Sequence, residues 1–146
     1  MDKLKELLEN WEKDSHIDST EPGKALLDIP KLHSKYLNIL SHYRLLIKDA
    51  DFKYKRMKKI KWEYYTGKLS EEELEEFGWE PFGNHVLKAD LNNYLESDRD
   101  IAKYLAQKSL YEEIVSVCEA IMKELHSRTF QLKSFIEFEK FISGNG

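Results

Sequence analysis

Across residues 31–66 the chain carries neither proline nor glycine, so nothing in the stretch stops a helix once it has started. At the helical step of 100° per residue, Tyr36, Leu40, Tyr43, Ile47, Ala50, Tyr54, Met57, Lys61 and Tyr64 alternate intervals of four and three. They trace one narrow apolar seam with a single charged interruption at Lys61. A helix of about 36 residues is about 54 Å long at 1.5 Å per residue, too long to be covered along its whole length by a compact globule. It needs partner helices, from this chain or a neighbour.

A second uninterrupted run covers residues 91–142, with Asp90 as its N-cap and an apolar face through Leu91, Leu95, Ala102, Leu105, Ile114, Val117, Ile121 and Leu125. The string His126, Ser127, Arg128, Thr129 weakens helix propensity and predicts a bend. Upstream, Leu4, Leu7, Leu8 and Trp11 share one face of a short helix over residues 2–13. Its polar face is acidic, which favours docking on the protein's own core over a membrane surface. Residues 14–23 are rich in turn and capping types, with Ser19 or Thr20 as N-cap and Pro22 in the first turn of the next helix. Pro30 then opens or kinks the long helix. After Gly67, Ser70 and Glu73 form a capping box for a short acidic helix ending at Gly78, and Trp79 and Phe82 pack under the loop over residues 78–85. The fold class is all-α: long antiparallel helices forming an elongated bundle. One helical domain is expected over 1–146, divided into 1–66, 67–88, 89–126 and 127–146.

Charge supplies the functional clue. Residues 48–61 hold seven basic side chains against Asp49 and Asp51, in a protein whose net charge is −4. Lys55, Arg56, Lys58 and Lys59 project away from the seam, Lys53 sits at its border, and Lys61 interrupts it. A solvated outer face usually alternates Glu with Lys, and these lysines lack acidic partners at i+4. Clustered Lys and Arg bind nucleic-acid backbones by displacing counterions, and unpaired bases stack on aromatic rings. Phe52, Tyr54, Trp62, Tyr64 and Tyr65 lie in or beside the run. The candidate DNA contacts are Lys53, Lys55, Arg56, Lys58, Lys59, Lys61, Trp62 and Tyr65.

The C-terminal element carries a second clue. Phe130, Leu132, Phe135, Ile136, Phe138, Phe141 and Ile142 spread over an arc of roughly 240° at the helical step, wider than the stripe of a one-sided surface helix. Either this is the central helix of the monomer's own bundle, or it packs between subunits. Phe130, Phe135, Ile136, Phe138, Phe141 and Ile142 are the candidate oligomerisation residues.

Other classes are disfavoured. No run approaches the 18 apolar residues of a membrane span, and the N-terminus is unlike a signal peptide. The single cysteine, Cys118, rules out a disulfide framework and reads as a buried, inert thiol in a cytoplasmic protein. The five glutamates over residues 71–76 lack His or Asp companions, so no metal and no cofactor is expected. Phosphate-loop, dinucleotide, zinc-protease and deaminase motifs are missing, which argues against an enzyme.

Several blocks together resemble the UvsY family of recombination mediators from T4-like bacteriophages. They are D-x-x-I-D-S-T at residues 14–20, IKWEYYTGK with its preceding lysines at 58–68, V-L-x-A-D at 86–90 and S-R-x-F at 127–130, in the family's order and spacing. The resemblance implies a non-enzymatic, all-helical protein that binds single-stranded DNA. It also implies a ring-like homo-oligomer of six or seven subunits, joined through the C-terminal region. Such a mediator helps a RecA-like phage recombinase displace the phage single-strand binding protein, in the cytoplasm of the infected host. The family's DNA-binding pair falls on Lys59 and Lys61. Lysine at the second position, where the family often has arginine, supplies a point charge rather than a stackable plane, and Pro30 departs from the family's uninterrupted helix. From the residues alone, the alternative is a helical coiled-coil adaptor whose basic segment docks on an acidic protein.

Overall fold

A computed structural model of the chain describes residues 2–144. Five helices follow one another: α1 (Asp2–Asp14), α2 (Pro22–Tyr65), α3 (Glu71–Phe77), α4 (Leu91–Ser97) and α5 (Arg99–Ile142). The described residues contain no strand, so the chain is all-α as expected.

As expected, Pro22 stands in the first turn of α2, and of the two alternatives at Pro30 the helix does not open there but runs through it. The lost backbone hydrogen bond there is offset by the side chains on either side, since Ala25, Leu26, Ile29 and Leu32 are all half-buried. Neither Ser19 nor Thr20 caps it. Asp18 instead accepts from both the Thr20 N–H at 2.9 Å and its hydroxyl at 2.6 Å, which turns the chain into Pro22. The single run expected over residues 91–142 is instead two helices, α4 and α5, broken at Asp98. α5 is helical through residues 126–129. Arg128 there is buried and donates to the carbonyls of Asp14 at 3.2 Å and Ser15 at 3.0 Å.

Asp90 precedes α4 but its side chain makes no cap hydrogen bond; the signals at Ser70, Gly67 and Gly78 hold. Ser70 and Glu73 make both bonds of the capping box. Gly67 and Gly78, each at φ 72°, close α2 and α3. In both closures the residue after the glycine donates back to the final turn, Lys68 to the Glu63 carbonyl and Trp79 to that of Leu74.

Packing divides the chain into two units: residues up to Leu45 together with those from Leu110 onward, and Leu46–Ser109. In the first unit α1 docks on α2 and α5. Leu7, Tyr36, Leu40, Ile114, Cys118, Ile121 and Leu125 form its buried cluster. Each fully buried aliphatic side chain contributes about 1.5–3 kcal/mol. Trp11 meets Tyr36 edge-on at 5.6 Å. The Tyr36 hydroxyl, which would otherwise be stranded, donates to Asp14 at 2.7 Å. Burial pushes the Cys118 thiol up, away from the reactive thiolate.

In the second unit, α2 and the start of α5 run antiparallel, with Asp51 paired to Lys108 and Lys61 to Asp100. The apolar seam of α2 turns inward as its spacing predicts. Ala50 and Lys61 are buried, and Ile47, Tyr54, Met57 and Tyr64 half-buried.

Candidate nucleic-acid interface

With the seam turned inward, helical geometry fixes what α2 shows to solvent. Lys48, Phe52, Lys53, Lys55, Arg56, Lys58, Lys59 and Trp62 are all exposed. Both aspartates of this stretch are occupied, by lysines four residues later. Lys53 Nζ lies 2.9 Å from Asp49 and Lys55 Nζ 2.9 Å from Asp51, so two of the lysines do have acidic partners, on their N-terminal side. Asp51 also receives Lys108 at 2.9 Å. Hydrogen bonds from Lys108 and Lys55 hold its carboxyl below the usual range. Ion pairs of this i,i+4 kind on a helix surface are weak and screened by salt. Lys58 lies 6.0 Å from the Tyr54 ring and Lys68 covers Trp62 at 4.0 Å.

Lys61 and Tyr65 are not part of that surface. Lys61 is 7% exposed. Its ammonium sits 3.2 Å from Asp98 and 2.8 Å from Asp100, and 3.9 Å above the centre of the Trp79 ring. Tyr65 donates its hydroxyl to Asp98 at 2.6 Å. The other Asp98 oxygen accepts the N–H groups of Asp100 at 2.9 Å and Ile101 at 3.1 Å, capping α5. Burial works to raise the Asp98 pKa, but the hydrogen bonds from Tyr65 and Ile101 and the charge of Lys61 outweigh it and hold the carboxyl below its ordinary value. Burial, followed by the bond to Asp98, pushes the Tyr65 phenol up.

Around this cluster Tyr64, Tyr65, Trp79, Phe82 and Tyr94 make successive ring contacts at 5.0–5.7 Å. Trp79 and Phe82 thus pack on the end of α2. The arrangement is a buried cation held by two carboxylates and an aromatic face, directly behind a cationic outer face. Sequence reasoning passed over Asp98. Its one local signal is an N-cap residue type ahead of Arg99, in a run that contains no glycine or proline.

At the far end of α5, Phe130 is 76%, Phe138 57%, Phe141 77% and Ile142 64% exposed, while Leu132 is buried. Phe135 and Ile136 are half-buried. The first unit's own core therefore leaves most of this apolar arc uncovered. Among the described residues no group of His, Cys, Asp and Glu is placed to hold a metal ion. No helix among them is long and apolar enough to cross a membrane.

A family model described as the recombination, repair and ssDNA binding protein UvsY matches residues 10–145. The chain belongs to the UvsY family. It is 24% identical over 142 residues to the recombination protein uvsY of Enterobacteria phage T4, covering 97% of this chain and 98% of that one. Its fold matches crystal structures of the bacteriophage T4 recombination mediator protein UvsY. One lattice gives a TM-score of 0.82 at 22% identity, covering 95% of this chain and 96% of that one. Another gives 0.83 at 23% identity, covering 94% and 98%.

Proposed function

We propose that this UvsY-family chain is a single-stranded DNA-binding recombination mediator that loads a RecA-like recombinase onto DNA coated by a phage single-strand binding protein, in the infected host cell. The observation that carries the reading is the outer face of α2, where exposed cations outnumber the two aspartates and stand beside the exposed aromatic Trp62. Lys53, Lys55, Arg56, Lys58 and Lys59 contact phosphates, and Trp62 offers a ring to a base. Lys61 and Tyr65 act behind that surface: they fix the end of α2 against Asp98 instead of touching the strand.

The action is physical rather than catalytic. Phe130, Phe135, Ile136, Phe138, Phe141 and Ile142 join six or seven subunits in a ring, in which residues 127–146 serve assembly and residues 1–66 present the DNA face. Individually weak, salt-sensitive sites then act together through high effective concentration. Wrapped DNA is held away from its coat protein, which lowers the barrier to recombinase nucleation. The exposed apolar end of α5 supports the assembly.

The test is anisotropy of a labelled oligothymidine across a salt series, beside a duplex control and a Lys55→Ala/Lys59→Ala variant. Tight single-strand binding that weakens steeply with salt and is lost in the variant is the expected result, each phosphate contact contributing about −0.7 to the log–log slope. Equal binding by the variant, or none at low salt, would point instead to an acidic protein as the partner of α2.

A further inference from the structure

Phe52 lies 64% exposed in the middle of α2's outer face, and among the described residues no aromatic or cationic group engages its ring. At 100° per residue, Lys59 falls about 20° from it around the helix, Lys48 and Arg56 about 40°, and Lys55 about 60°. Asp49, at the edge of this arc, is held by Lys53 at 2.9 Å. The ring is thus an apolar plane framed by four exposed cations, with Leu45, 65% exposed, two turns earlier on the same face.

We propose that Phe52 is a nucleobase-stacking contact: the surrounding cations hold the backbone of a single strand while an unpaired base lies on the ring. This rests on the DNA-binding reading above and deepens it by separating base contact from phosphate contact. Three considerations select an unpaired base as the occupant. The cations demand a polyanion. Bases in a duplex already have both faces stacked and offer none to Phe52 unless the helix is opened. Two copies meeting through this same face would bring like charges together, which is repulsive.

The test uses full-length protein and three variants: Phe52→Leu, which keeps an exposed apolar side chain but no ring, Phe52→Trp, and Lys59→Ala. Each is titrated with oligothymidine and with an abasic oligomer of equal length and charge, across a salt series. Base stacking on an aromatic is worth enough that the wild type should prefer oligothymidine by about ten-fold or more. Phe52→Leu should lose part of that preference, the remainder resting on Trp62, with an unchanged salt slope, Phe52→Trp should keep it, and Lys59→Ala should weaken both oligomers and flatten the slope. An unaltered preference in Phe52→Leu, or equal weakening of both oligomers, would overturn the stacking role while leaving DNA binding in place. Failure of the wild type to bind either oligomer would overturn the underlying reading as well. Polyglutamate bound as tightly as oligothymidine, and weakened equally by Phe52→Leu, would overturn stacking in favour of an acidic protein.

Discussion

Replacing Lys61 by methionine separates two roles that a basic residue in a DNA-binding helix can have. The side chain is 7% exposed and its ammonium bridges Asp98 and Asp100. Removing one partner of a buried ion pair typically costs about 3–5 kcal/mol, because the other charge is left uncompensated. Here Asp98 keeps three hydrogen bonds, from Tyr65 and from the Asp100 and Ile101 N–H groups, and Asp100 is half-exposed and can be hydrated. Methionine also retains most of the packing against Trp79. The loss should therefore lie at the low end, about 3 kcal/mol, or a fall in Tm of about 10 °C for a chain of this length. Adding Asp98→Asn to Lys61→Met removes the stranded charge and should recover about 1–2 kcal/mol, the non-additivity expected of residues in one ion-pair network. Thermal unfolding and salt-dependent oligothymidine binding should be read side by side, with Lys59→Met as the comparison. Lys59→Met should leave Tm close to wild type and reduce the salt slope by about 0.7; Lys61→Met should do the reverse. A Lys61→Met protein with wild-type Tm and a salt slope reduced as in Lys59→Met would refute the buried-pair argument.

Acid stability depends on this cluster and on Asp14 in the first unit, which accepts hydrogen bonds from Lys35 and Tyr36. The folded-state pKa values of Asp98 and Asp14 are lowered. Their stabilising contribution is therefore complete above the ordinary carboxylate value, near 4, and is lost as pH falls through the lower folded values. A Tm–pH profile should drop steeply below about pH 4, and Asp98→Asn should lower the plateau at neutral pH while flattening that acid limb. Ser70→Ala removes one half of the capping box and should destabilise α3 by about 1 kcal/mol, seen as faster amide exchange over residues 71–77 with little change in global Tm. Phe138→Glu together with Phe141→Glu should shift the chain to smaller species in sedimentation velocity, and should weaken DNA binding through lost avidity without changing far-UV circular dichroism. Unchanged sedimentation would remove these positions from the assembly surface.

What was legible in the sequence is what a single helix can express. The seam from Tyr36 to Tyr64 comes out inward at every position, because spacing alone sets which residues share a face. The capping box at Ser70 and the two glycine closures are equally local. The break at Asp98 was not legible, since it depends on a carboxylate that caps α5 and simultaneously meets Lys61 and Tyr65, residues more than thirty positions earlier.

The basic pair Lys59–Lys61 shows where the two kinds of information meet. Read linearly, it is one motif of two adjacent cations with a common ligand. On a helix, two residues are separated by about 200°, so both cannot face one strand unless the helix ends or distorts between them. α2 continues to Tyr65, and Lys61 occupies a seam position. Whatever Lys59 touches in solvent, Lys61 faces the opposite way, into the unit. The structure divides the pair into a brace and an exposed cation: Lys61 pins the end of α2 to Asp98 and α5, and Lys59 stands in solvent. Moving the second cation to position 62 or 63 would place it nearer Lys59's face but would abandon Asp98. A Lys61→Met/Trp62→Lys protein should therefore bind the strand at least as steeply with salt as wild type and yet unfold at lower temperature, and calorimetry beside the salt series would read both effects.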